Sequence, residues 1–154
     1  IEAWRERLTR RVAREPADAQ SWYLLGSTGL QLGEFADAAD AFSRAHAITG
    51  PDPVIDVYWL QSRYLAQGGA LDPLSREIAE RILARRENHP LVLELFAIDA
   101  FRRGEYADTV AYLNRALTND LAPQQAQSLL AGLEQAQSRL APQLPSVAVE
   151  ISAA

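Results

Sequence analysis

A three-residue motif, Gly33-Glu34-Phe35, recurs as Gly104-Glu105-Tyr106, 71 residues further along the chain. Before and after each glycine, apolar residues follow the three- and four-residue spacing that is typical of α-helices. Helix–turn–helix repeats have periods of about 34 residues, so the separation of the two motifs corresponds to two periods. The sequence therefore predicts stacked helical hairpins, with a less regular hairpin between the two clear copies.

The residues around the first motif indicate which repeat this is. They follow the pattern W-x-x-L-G, then a glycine turn, then A-x-x-x-F, with Trp22, Leu25, Gly26, Gly33, Ala38, Phe42 and Ala45. This pattern resembles the tetratricopeptide repeat (TPR). Small residues such as Gly26 are expected where two helices approach closely, and large ones such as Phe42 where hairpins pack together. Gly33 is expected to end its helix in a left-handed conformation.

The predicted fold is an all-α TPR solenoid, an αα-hairpin superhelix, that spans residues 1–141 with a capping helix at each end. The predicted segments are a cap helix over 2–15, repeats over about 19–50, 53–88 and 89–122, and a C-terminal helix over 123–140. Residues 142–154 are expected to be a linker and the start of a truncated second domain, because apolar residues then alternate from Val147 to Ile151.

Three local features refine this prediction. Trp4, Leu8 and Val12 recur every fourth residue and are expected on one packed face of the first cap helix. Leu129 and Leu130 are expected to help pack the C-terminal helix. Ser75 is a plausible N-cap of the second helix of the middle repeat.

Composition argues against catalysis and nucleic-acid binding. The net charge is −5 and the sequence pI is about 5.0, whereas nucleic-acid binders usually carry a basic face. There is no cysteine. The two histidines, His46 and His89, have no acidic partner at metal-ligand spacing and are interpreted as surface or capping residues. No cofactor, metal or catalytic residue is predicted, and the chain is not expected to be an enzyme.

The first helix of each TPR hairpin is expected to line a concave surface that binds an amphipathic helix or an extended apolar peptide. Helical spacing from the Trp and Leu anchors selects the outward-facing positions. The predicted peptide-binding residues are Tyr23, Ser27, Leu30 and Gln31, then Tyr58, Gln61, Ser62 and Leu65, then Glu94, Ile98, Phe101 and Arg102. An alternative remains open for Leu30, Leu65 and Phe101, which could instead pack against the next helix.

Three further motifs indicate a particular family. They are W-Y-L-L-G at Trp22–Gly26, Q-G-G at Gln67–Gly69 and N-H-P at Asn88–Pro90. Together with the two glycine turns they closely resemble the TPR portion of the bacterial c-type cytochrome biogenesis proteins CcmI (CycH), over about residues 1–141. The related NrfG-type proteins, which serve nitrite-reductase maturation, share these motifs.

The resemblance implies a role as an apocytochrome c chaperone. CcmI-like proteins hold the C-terminal helix of apocytochrome c and present it to the haem-ligation proteins CcmF and CcmH. The resemblance also implies a periplasmic domain, tethered to the inner membrane through segments outside this sequence. The alternative is a TPR scaffold or adaptor for another assembly complex, such as the one that matures nitrite reductase.

Overall fold

Eight helices account for most of residues 1–141, which are the residues that the computed structural model describes. They are α1 (Glu2–Arg14), α2 (Ala19–Gln31), α3 (Phe35–Thr49), α4 (Pro53–Ala66), α5 (Pro73–Arg85), α6 (Pro90–Arg102), α7 (Tyr106–Ala116) and α8 (Pro123–Leu140). No residue from 1 to 141 belongs to a strand, and the prediction of an all-α helical repeat fold is confirmed. The strand expected near Val147 lies outside the described residues.

The same turn joins the helices in two of the hairpins. Gly33 has φ of 75° and Gly104 has φ of 76°, a left-handed region that only glycine enters without strain. The amide of the residue after each glycine donates a hydrogen bond to a carbonyl of the preceding helix. The Glu34 amide donates to the Gly29 carbonyl at 2.8 Å, and the Glu105 amide donates to the Ala100 carbonyl at 2.9 Å. The repeated Gly-Glu motif therefore marks a repeated helix end, as predicted.

The contacts divide the chain into two compact units, and the first runs from Ile1 to Arg85. In this unit each of the helices α1 to α4 packs on the helix that follows it, and α2 also contacts α4. Phe42 of α3 is fully buried, and its ring lies 5.9 Å from the rings of both Tyr23 and Tyr58. A Cβ atom at Gly26 would lie only 2.8 Å from the Phe42 ring. The close approach predicted for Gly26 is thus confirmed.

A buried ion pair holds α4 against α5 in this unit. The Asp56 side chain is 1% exposed and accepts two hydrogen bonds from Arg81, at 2.9 Å from Nε and 2.6 Å from a terminal nitrogen. Removing one partner of such a pair would leave an uncompensated buried charge. Helical periodicity does not reveal this pair, because its members are 25 residues apart.

The second unit begins at Arg86 and contains α6, α7 and α8. Here α6 packs on α7 and α7 packs on α8. Leu113 and Ala116 of α7 are buried, as are Leu129 and Ala136 of α8. α8 therefore buries residues spaced by seven positions, two turns of one helical face.

Four local predictions require correction. Trp4 is 46% exposed and Leu130 is 51% exposed, so neither lies on the packed face of its helix, unlike Leu8, Val12 and Leu129. Ser75 is wrong as an N-cap, because it is fully buried inside α5 and its own amide donates to the Asp72 carboxylate at 2.8 Å. His46 is half-buried rather than a surface residue, since its ring packs 4.8 Å from Trp59.

Candidate functional site

The four residues predicted for peptide binding in the third repeat line one cleft of about 270 Å³ in the second unit. We call it the α6–α8 cleft. Its lining from α6 is Glu94, Ala97, Ile98, Phe101 and Arg102. The remaining lining comes from Thr109 and Leu113 of α7 and from Ser128, Leu129, Gly132 and Gln135 of α8.

Helical spacing explains why α6 presents these residues together. Glu94, Ile98 and Phe101 follow one another at four- and three-residue intervals, so they form a stripe along one side of the helix. Leu93, Leu95 and Ala100 of the same helix are buried outside the cleft lining. The cleft therefore adjoins the core of the hairpin, since its lining includes the buried residues Ala97, Thr109 and Leu113.

Phe101 occupies a defined position within the cleft. Its ring meets the Tyr106 ring edge-on, at 5.2 Å between centroids. The guanidinium of Arg139, from the last turn of α8, lies 5.8 Å from the Phe101 centroid, which is within the range of a cation–π interaction. The ring of Phe101 thus packs on its neighbours and is also part of the cleft wall, and its contact with a peptide stays a prediction.

The contribution of α7 and α8 was missed by the sequence analysis, which treated α8 only as a cap. The signal that could have revealed it is Gly132, a glycine inside an otherwise strong helix. A Cβ atom at Gly132 would meet Leu113 at 3.5 Å, so the glycine lies where α8 faces α7. Leu129 and Gly132 are three residues apart and therefore share this face.

Glu94 gives the α6–α8 cleft an acidic group. The side chain is half-buried, and burial raises the pKa of its carboxyl. The other charged residue in the cleft lining is Arg102, two turns further along α6. The cleft therefore combines an apolar wall with charges of opposite sign at separate positions.

The predicted binding residues of the first unit lie on α2 and α4. Tyr23 and Tyr58 bring the two helices together, with ring centroids 6.0 Å apart at an interplanar angle of 64°. Tyr58 is 37% exposed and Leu65 is 39% exposed, so both offer apolar surface to solvent. Leu30 and Gln61 are half-buried and Gln31 is exposed. We call these residues, with Ser27, the α2–α4 face.

The two serines predicted on this face bond to their own helices. Ser62 is fully buried, and its hydroxyl donates to the Tyr58 carbonyl at 2.8 Å. The prediction that Ser62 contacts a peptide is therefore wrong. A serine hydroxyl that donates to a carbonyl of its own helix has its hydrogen bond satisfied, so the side chain can be buried. Ser27 is half-buried and donates to the Tyr23 carbonyl at 3.1 Å.

The described residues, 1–141, contain neither a candidate metal site nor a candidate membrane span. No group of three His, Asp or Glu side chains in this range is arranged to hold a metal ion. None of the helices in the same range combines the length and the apolar character needed to cross a membrane.

Comparison with known proteins identifies the family. The family model of the TPR domain of cytochrome c-type biogenesis protein H matches residues 6–128. The chain belongs to this family. The resemblance to CcmI (CycH) proteins noted from the sequence is thereby confirmed.

Individual relatives carry related names. The chain is 32% identical over 118 residues to the cytochrome c-type biogenesis protein CycH of Pseudomonas aeruginosa, covering 77% of this chain and 29% of CycH. It is 26% identical over 125 residues to the formate-dependent nitrite reductase complex bifunctional subunit NrfFG of Haemophilus influenzae, covering 81% and 33%. It is 21% identical over 98 residues to the cytochrome c-type biogenesis protein CcmH of Escherichia coli, covering 64% and 28%. The chain thus spans about a third or less of the length of these relatives.

Proposed function

We propose that this TPR domain acts in cytochrome c maturation as a chaperone that binds the C-terminal helix of an apocytochrome c and catalyses nothing itself. The observation that carries the proposal is that Glu94, Ile98, Phe101 and Arg102 share one cleft with residues of α7 and α8. The family match and the similarity to CycH support the biological context.

The size and lining of the cleft favour a peptide over a small molecule. Pockets for drug-sized ligands usually measure about 300–1,000 Å³, and this cleft is slightly smaller at about 270 Å³. It can accept one or two side chains of a larger ligand that lies across the surface. An amphipathic helix offers such side chains at three- and four-residue intervals, the same intervals at which α6 presents its own stripe.

The whole protein to which this domain belongs is proposed to act at the periplasmic side of the inner membrane. There it would pass the apocytochrome to the haem-ligation proteins CcmF and CcmH. Holding the polypeptide by its C-terminal helix would leave its haem-binding cysteines free for ligation. The domain itself contains no cysteine that could form mixed disulfides with them.

Calorimetry of the domain with a synthetic C-terminal helix peptide of a bacterial apocytochrome c tests the proposal. We expect binding with a Kd in roughly the micromolar range, as for a modest interface. Phe101→Ala should weaken binding about tenfold, because truncating a central aromatic residue of an interface typically costs more than about 1 kcal/mol. Leu130→Ala is the matched control, since Leu130 is an exposed apolar residue of the same unit outside the cleft lining.

Two results would contradict this proposal. One is the absence of binding at several hundred micromolar peptide. The other is that Phe101→Ala or Tyr58→Ala weakens pull-down of another assembly subunit while peptide affinity stays unchanged, which would indicate an adaptor.

The similarity to NrfFG favours a second candidate, a role in the maturation of nitrite reductase. The same titration with the C-terminal peptide of a nitrite reductase distinguishes the two. Tighter binding of that peptide than of the cytochrome c peptide would favour the second candidate.

A further inference from the structure

Glu94 differs from every other acidic residue that is at least partly buried in residues 1–141. The six others each have a hydrogen-bond or ion-pair partner within the chain. Asp18 pairs with Arg11, Glu34 with Arg5, Asp56 with Arg81, Asp72 with Arg63 and Asp99 with Arg103, while Asp52 accepts two backbone amides of α4. Glu94 has no such partner in the described part of the chain.

This unpaired carboxylate lies in an unfavourable place for a charge. Ala97 and Ile98, which follow it on the same side of α6, cannot donate a side-chain hydrogen bond, and the donors elsewhere in the cleft lining, such as Ser128 and Gln135, form none with it. Burial of an unpaired charge costs free energy, and burial is also the cause of the raised pKa of Glu94. A position that disfavours a charge but holds a glutamate points to a partner supplied from outside the chain.

The chemistry of the cleft narrows down that partner. A carboxylate is an acceptor only, so the partner must be a donor, and a cation is the strongest one. Lysine and arginine also have long aliphatic stems that can lie along an apolar wall while the charged end reaches the acid. A basic side chain therefore suits both the charge of Glu94 and the apolar surface beside it.

The helix geometry sets the spacing between this basic residue and its apolar neighbour. Glu94 and Ile98 are four residues apart on α6, which places them about 6 Å apart along the helix axis. A bound helix that lies alongside α6 meets these two positions with side chains that are themselves three or four residues apart.

We propose that the α6–α8 cleft recognises a basic residue and an apolar residue one turn apart on the bound helix. Glu94 forms an ion pair with the lysine or arginine, and the apolar side chain packs on Ile98 and Phe101. This inference rests on the proposed function as a peptide-binding domain, and it adds a specificity-determining role for Glu94.

A double-mutant cycle tests the ion pair. The probe is the fluorescein-labelled C-terminal helix peptide of a bacterial apocytochrome c, together with versions in which one lysine or arginine at a time is replaced by glutamine. Each peptide is titrated against the wild-type domain, Glu94→Gln and Glu134→Gln, and fluorescence anisotropy gives the Kd. Glu134→Gln is the matched control, because Glu134 is an exposed acid on α8 outside the cleft lining.

We expect Glu94→Gln to weaken binding of the unmodified peptide about three- to tenfold, the range of a partly buried charge pair. One peptide replacement should cause a similar loss with the wild-type domain and no further loss with Glu94→Gln. Glu134→Gln should bind within about twofold of the wild type. Glu94→Gln should also melt at the same temperature as the wild type or higher at pH 7, since it removes an unpaired charge, and this measurement excludes misfolding as the cause.

Three outcomes would overturn the inference. If Glu94→Gln binds as tightly as the wild type, Glu94 has no role in recognition. If it binds more weakly but no single peptide cation couples to it, the partner is a neutral donor. In both cases the domain still binds peptide and the proposed function stands. If the wild-type domain binds none of the peptides, the proposed function itself fails, and the inference fails with it.

Discussion

At the scale of single residues, two glycines within helices differ in the space available to a side chain. A Cβ atom at Gly26 of α2 would lie 2.8 Å from the Phe42 ring, which is fully buried and packs against the rings of both Tyr23 and Tyr58. A Cβ atom at Gly132 of α8 would meet Leu113 at 3.5 Å, an ordinary contact. The same substitution at the two positions should therefore have opposite effects.

We expect Gly26→Ala to lower the free energy of unfolding by about 1–3 kcal/mol, because overpacking exceeds the gain in helix propensity. Gly132→Ala should raise it by up to about 1 kcal/mol, because alanine reduces the conformational entropy of the unfolded chain. Urea unfolding followed by circular dichroism measures both. A Gly26→Ala variant as stable as the wild type would mean that Phe42 has room to move aside.

At the scale of one helix, Asp72 stabilises the start of α5. Its carboxylate accepts hydrogen bonds from the Ser75 amide at 2.8 Å and the Gln67 side chain at 2.7 Å, and it pairs with Arg63 of α4. Burial alone would raise the pKa of Asp72, but these hydrogen bonds and the Arg63 charge outweigh it and hold the pKa well below its usual value of 3.8. The ionised form of Asp72 is thus the form that stabilises the fold.

We expect Asp72→Ala to destabilise the domain by about 1–2 kcal/mol, the usual effect of losing an N-cap. The contribution of Asp72 to the free energy of unfolding is present above pH 3.8 and is lost as the pH falls below that value. The reason is that the pKa of the Asp72 carboxyl is lower in the folded state than in the unfolded state. The stability difference between variant and wild type should therefore shrink in acid. Urea unfolding between pH 2 and pH 7 measures it.

Asp40→Ala is the control for this prediction. Asp40 forms only an exposed pair with Arg44, one turn along α3, at 3.0 Å. Such pairs contribute about 0.5 kcal/mol or less. Equal losses of stability in the two variants would show that Asp72 acts merely as a surface charge.

At the scale of the whole molecule, the net charge of −5 should attract a basic peptide. We expect the association rate of the apocytochrome c peptide to fall about three- to tenfold between roughly 50 and 500 mM NaCl, because salt screens exposed charges over distances beyond about 10 Å. Stopped-flow anisotropy measures the rate. A peptide with all lysines and arginines replaced by glutamine is the control, and an equal dependence on salt for both peptides would contradict the prediction.

Much of the helical pattern was predictable because helix signals are local. Several features depend only on residues a few positions apart in the chain. They are the two Gly-Glu turns, the prolines that begin α4, α6 and α8, and the stripe on α6. The cleft-lining positions on α6 were predictable for the same reason, since a periodicity of 3.6 residues places Glu94, Ile98 and Phe101 on one side.

Contacts between helices were harder to predict. Three features depend on how neighbouring segments meet. They are the pairing of Asp56 with Arg81, the capping of α5 by Asp72 rather than Ser75, and the burial of Ser62. Trp4 illustrates the same limit, because it fits the apolar spacing of α1 and is nevertheless 46% exposed.

The sequence by itself thus determined the helical repeats, their turns and the residues that share one side of α6. Only the tertiary structure placed α7 and α8 opposite that helix, enclosed the cleft and showed that Glu94 alone among the partly buried acids of residues 1–141 has no partner. The reason is physical, because the backbone hydrogen bonds of a helix and the periodicity of its side chains each involve residues only a few positions apart. Partners across a cleft depend instead on the packing of helices that are distant in the chain.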